Sequence, residues 1–206
     1  MAEKEIPDIV VSRLPLYLQG LIRLKESGKH TTSSQELAEM LGMSAAQIRK
    51  DLSHFGEFGK QGTGYRIDHL THELTQILHL DRVWKIVLVG AGDVGHAIAR
   101  YQGFANRGFC VEMIFDADPE KIGKKVGSYI IEDIAQMEER VRASQIQIAM
   151  LTVPANSAQS VADQLVKAGV RAILNYAPIP LNLPSHVLVH QFDPIVHIQH
   201  MTYYLA

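Results

Sequence analysis

Residues Ile86–Pro119 read IVLVGAGDVGHAIARYQGFANRGFCVEMIFDADP, and this stretch decides the fold. A short apolar run, Ile86–Val89, leads into Gly90-Ala91-Gly92-Asp93-Val94-Gly95. A helical pattern follows over Val94–Asn106, and a second apolar run ends at Asp116. Strand, glycine loop, helix, strand and acid, in that order, form the pattern of a dinucleotide site. Gly90 permits the tight turn, Gly92 lets the backbone approach a pyrophosphate, and Gly95 lets the helix pack close to the strand. The helix N-terminus then faces the phosphate charge. Asp116 lies about twenty residues beyond Gly95, where a carboxylate bonds a ribose 2′-hydroxyl. That carboxylate would repel a 2′-phosphate and no arginine follows it at once, so NAD is favoured over NADP. The plainer alternative is a glycine turn in an α/β sheet that holds no ligand.

Outward from this unit the grammar stays the same towards the C-terminus. Strands are expected near Val111–Phe115, Ile146–Thr152, Arg171–Asn175 and Val187–His190, with helices over Ile131–Ala143 and Ser157–Ala168 between them. Alternating strands and helices indicate a parallel sheet. Thr152-Val153-Pro154 and Asn175-Tyr176 follow strand ends, the ligand edge of such a sheet. The final stretch, Pro194–Leu205, spreads Ile195, Val196, Ile198, Met201, Tyr203, Tyr204 and Leu205 around a helix. A helix apolar on more than one side needs two surfaces to bury it. Either it caps its own sheet, or it swaps into a second copy of the chain.

Towards the N-terminus, residues before about 80 read as short helices and one glycine-rich hairpin. Ser12 is placed to cap a first helix in which Leu14, Leu18, Leu21 and Ile22 share a face, closed by Gly28. Ser33 and Glu36 have capping-box spacing, with Leu37, Met40 and Leu41 on the apolar side and Gly42 as the stop. Ser44 and Gln47 repeat the box and start a third helix running to about His54. Two short helices joined by so tight a turn form a helix-turn-helix signal. Phe55–Ile67, with its glycines and flanking aromatics, suits a hairpin, so the whole reads as a winged helix-turn-helix. A helical linker follows between Asp68 and Leu80.

On the third helix Ser44, Gln47, Arg49, Lys50 and Ser53 lie on or near one exposed side, while Ile48 and Leu52 face inward. Gln, Arg and Ser can read base edges, and Lys can hold phosphate. Lys60 and Arg66 place charge on the wing; Arg13 and Tyr65 are placed with the same DNA-facing set. Across Gly42–Ile67 four basic residues stand against two acids, an excess that vanishes over the whole first domain. A winged helix used for protein contacts is the alternative reading.

These motifs together resemble the Rex family of bacterial redox-sensing repressors, over nearly the whole chain. The most specific part is SAAQIRKDLSHFGEFGKQGTGY (Ser44–Tyr65), similar to the family's recognition helix and wing. GAGDVGHAIARY, IFDADPEKIG, LTVPA, ILNYAPIPL, VHQFD and the closing TYYLA match in order. The resemblance implies a homodimer that binds a palindromic operator when NADH is low. NADH would release the DNA, while NAD⁺ would compete for the site without releasing it. It assigns Arg49 and Lys50 to the groove and Lys60 to a wing contact. It gives Gly90, Gly92, Gly95 and Asp116 to the NAD loop and ribose, and Tyr101 with Asp193 to a pair beside the nicotinamide across subunits. The chain departs from the family at Gln61, where a basic residue is common, at Asp93-Val94 in place of Asn-Leu, and at Pro194 after Asp193.

The expected architecture is therefore α/β, a winged helix-turn-helix followed by a Rossmann-like doubly wound parallel sheet. Residues 1–80 form the DNA-binding domain with its linker, 81–192 the NAD(H)-binding domain, and 193–206 a dimerisation helix swapped between subunits. The candidate cofactor residues are Gly90, Ala91, Gly92, Asp93, Val94, Gly95, Tyr101, Asp116, Thr152, Val153, Pro154, Asn175 and Asp193. A small NAD-dependent dehydrogenase is the rival reading, but hydride transfer needs a substrate pocket and a positioned acid or base. After the last strands only the terminal helix remains, and His96 sits in the phosphate-loop helix. A regulator responding to CoA or another adenine nucleotide is a third reading. Ten histidines invite a metal, and His186/His190 or His197/His200 could share one. No cysteine or acid cluster with zinc-site spacing accompanies them, so no metal is expected. Cys110, the single cysteine, excludes an internal disulfide and reads as a core thiol in a reducing cytoplasm. The N-terminus lacks the apolar core of a secretory signal, and no apolar run approaches the roughly 18 residues of a membrane span.

Overall fold

The computed structural model describes residues 6–60 and 64–205. The chain divides into two compact units, with the division between Arg82 and Val83. In the first, α1 (Asp8–Val11), α2 (Leu14–Glu26), β1 (Thr31–Thr32), α3 (Ser34–Leu41) and α4 (Ala45–Leu52) are followed by β2 (Gly59–Lys60), β3 (Gly64–Arg66) and α5 (Ile67–Ile77). Leu14, Tyr17, Leu18, Leu21 and Leu24 of α2 pack with Leu37 of α3, Ile48 and Leu52 of α4, and Ile67, Leu70 and Leu74 of α5. Their spacing along each helix makes one buried stripe, as the sequence pattern requires. Ile22 and Met40, expected on those stripes, are exposed.

The helix ends differ in part from expectation. Ser33 Oγ accepts the Glu36 N–H at 3.1 Å, as the spacing predicts, and Gly42 is left-handed at φ 64° where the chain turns into α4. Ser44 has extended backbone but no side-chain capping bond, and the Gln47 side chain, which the box would turn back to Ser44, donates to Asp51. Ser12 does not cap α2; it closes α1, donating to the Ile9 carbonyl at 3.1 Å. Pro15 near the start of α2 supplies preset φ where an N–H would have no partner. The α4 and α5 helices stop at Leu52 and Ile77, short of His54 and Leu80. A three-stranded antiparallel sheet in the order β1-β3-β2, with Gly59 opposite Tyr65, forms the wing.

The second unit runs β4 (Trp84–Val89), α6 (Asp93–Arg100), β5 (Phe109–Asp116), β6 (Lys125–Val126), β7 (Tyr129–Asp133) and α7 (Met137–Ala143). It continues through β8 (Ile148–Leu151), α8 (Ala155–Lys167), β9 (Ala172–Asn175), β10 (Leu188–Gln191) and α9 (Pro194–Thr202). Its sheet has the order β10-β9-β8-β4-β5-β7-β6, parallel except where β6 pairs antiparallel with β7. Stepping outward from β4 in both directions is the doubly wound arrangement, with its switch point between β4 and β8. Successive residues of β4 face opposite sides. Val87 and Val89 join α7 and α8 through Met137, Val141 and Leu165. Ile86 and Leu88 join Ile114, Ile131 and Ala99 of α6. That two-sided burial is why the strand is uniformly apolar.

Three expectations are corrected. Ile131 begins no helix: it pairs with Ile114 in the sheet and is buried, and the helix starts only at Met137. The α6 helix ends at Arg100, where Tyr101 turns extended, so residues to Asn106 lie outside it. Cys110 is half-buried in β5 rather than in the core, and burial followed by nearby Glu112 pushes its thiol pKa up. No residue of α9 is buried; Ile195, Val196, Ile198 and Met201 are all exposed. Among the described residues no helix is long and apolar enough to cross a membrane.

Candidate dinucleotide cleft and nucleic-acid interface

The glycine loop turns where β4 meets β8. Gly90 has φ 102°, and a Cβ there would lie 2.6 Å from the Thr152 carbonyl oxygen. Thr152 Oγ1 donates to the Gly90 carbonyl at 2.8 Å and lies 3.0 Å from the Val89 carbonyl, clamping the turn. A Cβ on Gly95 would overlap the Gly90 carbonyl, so only glycine lets α6 seat against the loop. Gly92 differs: its backbone is unstrained and the space a Cβ would fill is open. The opening belongs to a cleft of about 800 Å³ lined by Gly90, Gly92, Val94, Asp116, Thr152, Val153 and Pro154. No side chain caps α6, leaving its first-turn N–H groups available to an anion.

Asp116 ends β5 at the cleft. Its Oδ2 accepts the Ala91 N–H at 2.6 Å and its Oδ1 the Asp118 N–H at 2.9 Å. Lys121 Nζ lies 3.3 Å from the same Oδ2. Burial alone would raise this carboxyl, but the two N–H groups and the Lys121 charge outweigh it and hold the pKa below the usual carboxylate range. The acid is thus ionised at neutral pH and oriented towards the cleft, as a ribose acceptor must be. The far wall is apolar, with Val153, Pro154, Ile134 and Val161, and Tyr176 borders it. Tyr176 packs on Phe192 with ring centroids 5.0 Å apart, and burial pushes its phenol pKa up. A glycine cradle, open helix end, ribose-side acid and apolar wall fit a dinucleotide.

Of the other expected residues, Ala91 and Gly95 are buried behind the loop, and Asp93 is exposed in the first turn of α6. Asn175 does not face the cleft. It is fully buried, donating to the Ile179 carbonyl and Gln191 Oε1 while accepting the Ala177 N–H, so it braces the turn after β9. Tyr101 is exposed and stacks edge-on against Phe104, away from the cleft. Asp193 caps α9, accepting the Ile195 N–H at 2.9 Å, beside a separate apolar groove. Lys121, Asn156 and Ser157 line the cleft and were missed. The only sequence signal was Lys121 following Asp116 by five residues.

On the first unit, Ser44, Arg49, Lys50 and Ser53 are exposed on or beside α4. Arg49 Nη1 donates to Ser34 Oγ at 2.8 Å, tying α4 to α3, and Ser53 Oγ donates to the Lys50 carbonyl at 2.7 Å. Tyr65 is half-buried on the wing; burial raises its phenol pKa against the opposing pull of Arg49. Lys60 is described only in its backbone, and Gln61 lies outside the described residues. Arg13 and Gln47, expected in the DNA-facing set, both donate to Asp51.

The chain is 52% identical over 200 residues to the redox-sensing transcriptional repressor Rex of Chloroflexus aggregans, covering 97% of this chain and 94% of that protein. The chain belongs to the Rex family of redox-sensing transcriptional repressors. Two family descriptions match its halves: "Putative DNA-binding protein N-terminus" over residues 5–53 and "CoA binding domain" over residues 81–179. Among solved structures it resembles RSP, a Rex-family repressor, in complex with β-NAD⁺ and operator DNA. That match has a TM-score of 0.92 at 37% identity, covering 98% of this chain and 93% of RSP. RSP in complex with β-NADH matches with a TM-score of 0.88 at 36% identity, covering 97% and 94%. The winged-helix and Rossmann-like halves are thus those of a Rex protein in both order and fold. Among the described residues no group of His, Cys, Asp and Glu could hold a metal ion.

Proposed function

We propose that this chain is a homodimeric, cytoplasmic transcriptional repressor that binds a palindromic operator and is released by NADH, with NAD⁺ competing for the same cleft. The observation that carries this is the open Cβ position of Gly92, beside an uncapped helix end and an ionised Asp116, in a chain that also has an exposed basic α4. RSP, at 37% identity, binds β-NAD⁺ and operator DNA together, which supports placing both ligands on one chain. Residues 1–80 would read DNA, 81–192 hold the dinucleotide, and 193–206 pair the subunits.

Gly90, Gly92 and the α6 N-terminus would hold the pyrophosphate, Asp116 the adenosine ribose, and Val153 and Pro154 the nicotinamide side. When bound, the dinucleotide supplies a ring that is cationic when oxidised and neutral when reduced. The apolar wall disfavours the cation by withholding hydration, so the reduced form binds more tightly. Tyr101 and Asp193, both away from the cleft of their own protomer, would act across the dimer. In this reading the dinucleotide is a signal and is not consumed; His96, the candidate acid or base of a dehydrogenase, sits in α6 and does not line the cleft. Asp116 also opposes CoA, whose ribose carries a 3′-phosphate.

The test is fluorescence anisotropy of an operator selected from random DNA, at constant salt because salt alone shifts affinity by orders of magnitude. NADH is expected to release the DNA and NAD⁺ to leave it bound. An operator complex indifferent to NADH would falsify the proposal.

A further inference from the structure

An acid on a DNA-facing helix is a liability, since phosphates repel it. Asp51 stands between Lys50 and Leu52 on α4, yet its side chain is completely buried. Four donors meet its two oxygens. Arg13 Nε reaches Oδ2 at 2.6 Å and Nη2 reaches Oδ1 at 2.8 Å. The Tyr17 hydroxyl donates to Oδ2 at 2.5 Å, and Gln47 Nε2 to Oδ1 at 2.6 Å. Arg13 is the residue just before α2 and Tyr17 lies within it, so the carboxylate ties α4 to α2 through a fork whose geometry is fixed. Burial would raise the Asp51 pKa, but these donors outweigh it and keep the acid ionised. The same burial and the bond to Asp51 push the Tyr17 phenol up to about 12.

We infer that the Arg13–Asp51 pair, completed by Tyr17 and Gln47, is a positioning device for α4. Arg13 then contributes to operator recognition by aiming the helix that carries Arg49 and Lys50, and not by touching phosphate. The inference rests on the operator-binding reading above. A direct phosphate contact and a positioning role differ in sign and in substitution pattern. If Arg13 held a phosphate, Arg13→Lys would keep most of the affinity, and Asp51→Asn, which removes a negative charge, would tighten binding to any DNA. A fork that aims α4 is lost in Arg13→Lys, since an ammonium cannot chelate a carboxylate side-on. It is lost in Asp51→Asn as well.

The experiment compares binding of the full chain to the selected operator and to a scrambled duplex across a salt series. The variants are Arg13→Lys, Arg13→Met, Asp51→Asn and the Arg13→Met/Asp51→Asn pair, each held well below its own unfolding midpoint. Preference for operator over scrambled DNA is expected to fall roughly tenfold in every variant, a loss of about 1.4 kcal/mol. The double variant should be no worse than either single one, as two halves of one contact behave. Tyr17→Phe, which keeps the ring and removes one donor, should lose preference less but in the same direction. It decides the matter if the charge variants do not fold. Tighter operator binding by Asp51→Asn would overturn the inference. So would a salt slope lowered by about one on both duplexes in Arg13→Met with preference intact. Wild-type protein with no preference for any duplex would overturn the operator reading together with it, and is thus distinguishable from a failure of positioning alone.

Discussion

At the scale of single residues, two glycines of one loop carry separable demands. Gly95 is required by packing, because a Cβ would strike the backbone oxygen of Gly90; Gly92 is required only by what enters the cleft. Gly95→Ala should therefore lower stability by about 1–3 kcal/mol in denaturant titration, as overpacking does. Gly92→Ala should leave the unfolding midpoint nearly unchanged yet weaken NADH binding roughly tenfold or more by fluorescence titration. Loop, turn and acid were legible because each rests on local backbone chemistry: a left-handed Gly90, a helix end at Gly92, a strand end at Asp116. The partners of Asn175, Arg13 and Gln47 were not legible because a polar side chain's partner is set by tertiary packing. Nothing in the local sequence says that Asn175 closes on Gln191, or that Gln47 turns to Asp51.

At the scale of elements, strand–helix alternation was legible from periodicity, and its failures share a cause. Ile131, Ile134, Met137 and Val141 recur at helical spacing, so Ile131 reads as helix. The sheet edge of β5 claims it instead, through Ile114. Tertiary pairing overrides a local pattern wherever β-branched residues lie within reach of a strand. The α2–α4 contact carries a pH dependence. Asp51 is depressed in the folded state, so its stabilisation is complete above the unfolded carboxylate value of about 3.9 and is lost as pH falls through the lower folded value. Chemical denaturation should show stability flat near neutrality and falling below about pH 4, with a shallower fall in Asp51→Asn. The α9 helix exposes Ile195, Val196, Ile198 and Met201, and the residues just after it expose Tyr203 and Tyr204, more apolar side chain than a lone subunit keeps in water. Removing residues 194–206 should convert the proposed dimer to a monomer in light scattering and abolish operator binding.

At the scale of the whole molecule, a change of grammar near residue 80 lies close to the division between Arg82 and Val83. In the proposed function a reader of DNA and a holder of dinucleotide occupy separate units of one chain. Whatever couples them must obey linkage: if NADH weakens operator binding by some factor, operator weakens NADH binding by the same factor. Such couplings typically amount to about 5–150-fold. The measurement that tests the central claim most directly is calorimetric titration of NADH into the free protein and into its operator complex, at one salt concentration. The account predicts weaker NADH binding in the complex, by the same factor that NADH reduces operator affinity. Equal NADH affinity with and without operator would contradict it.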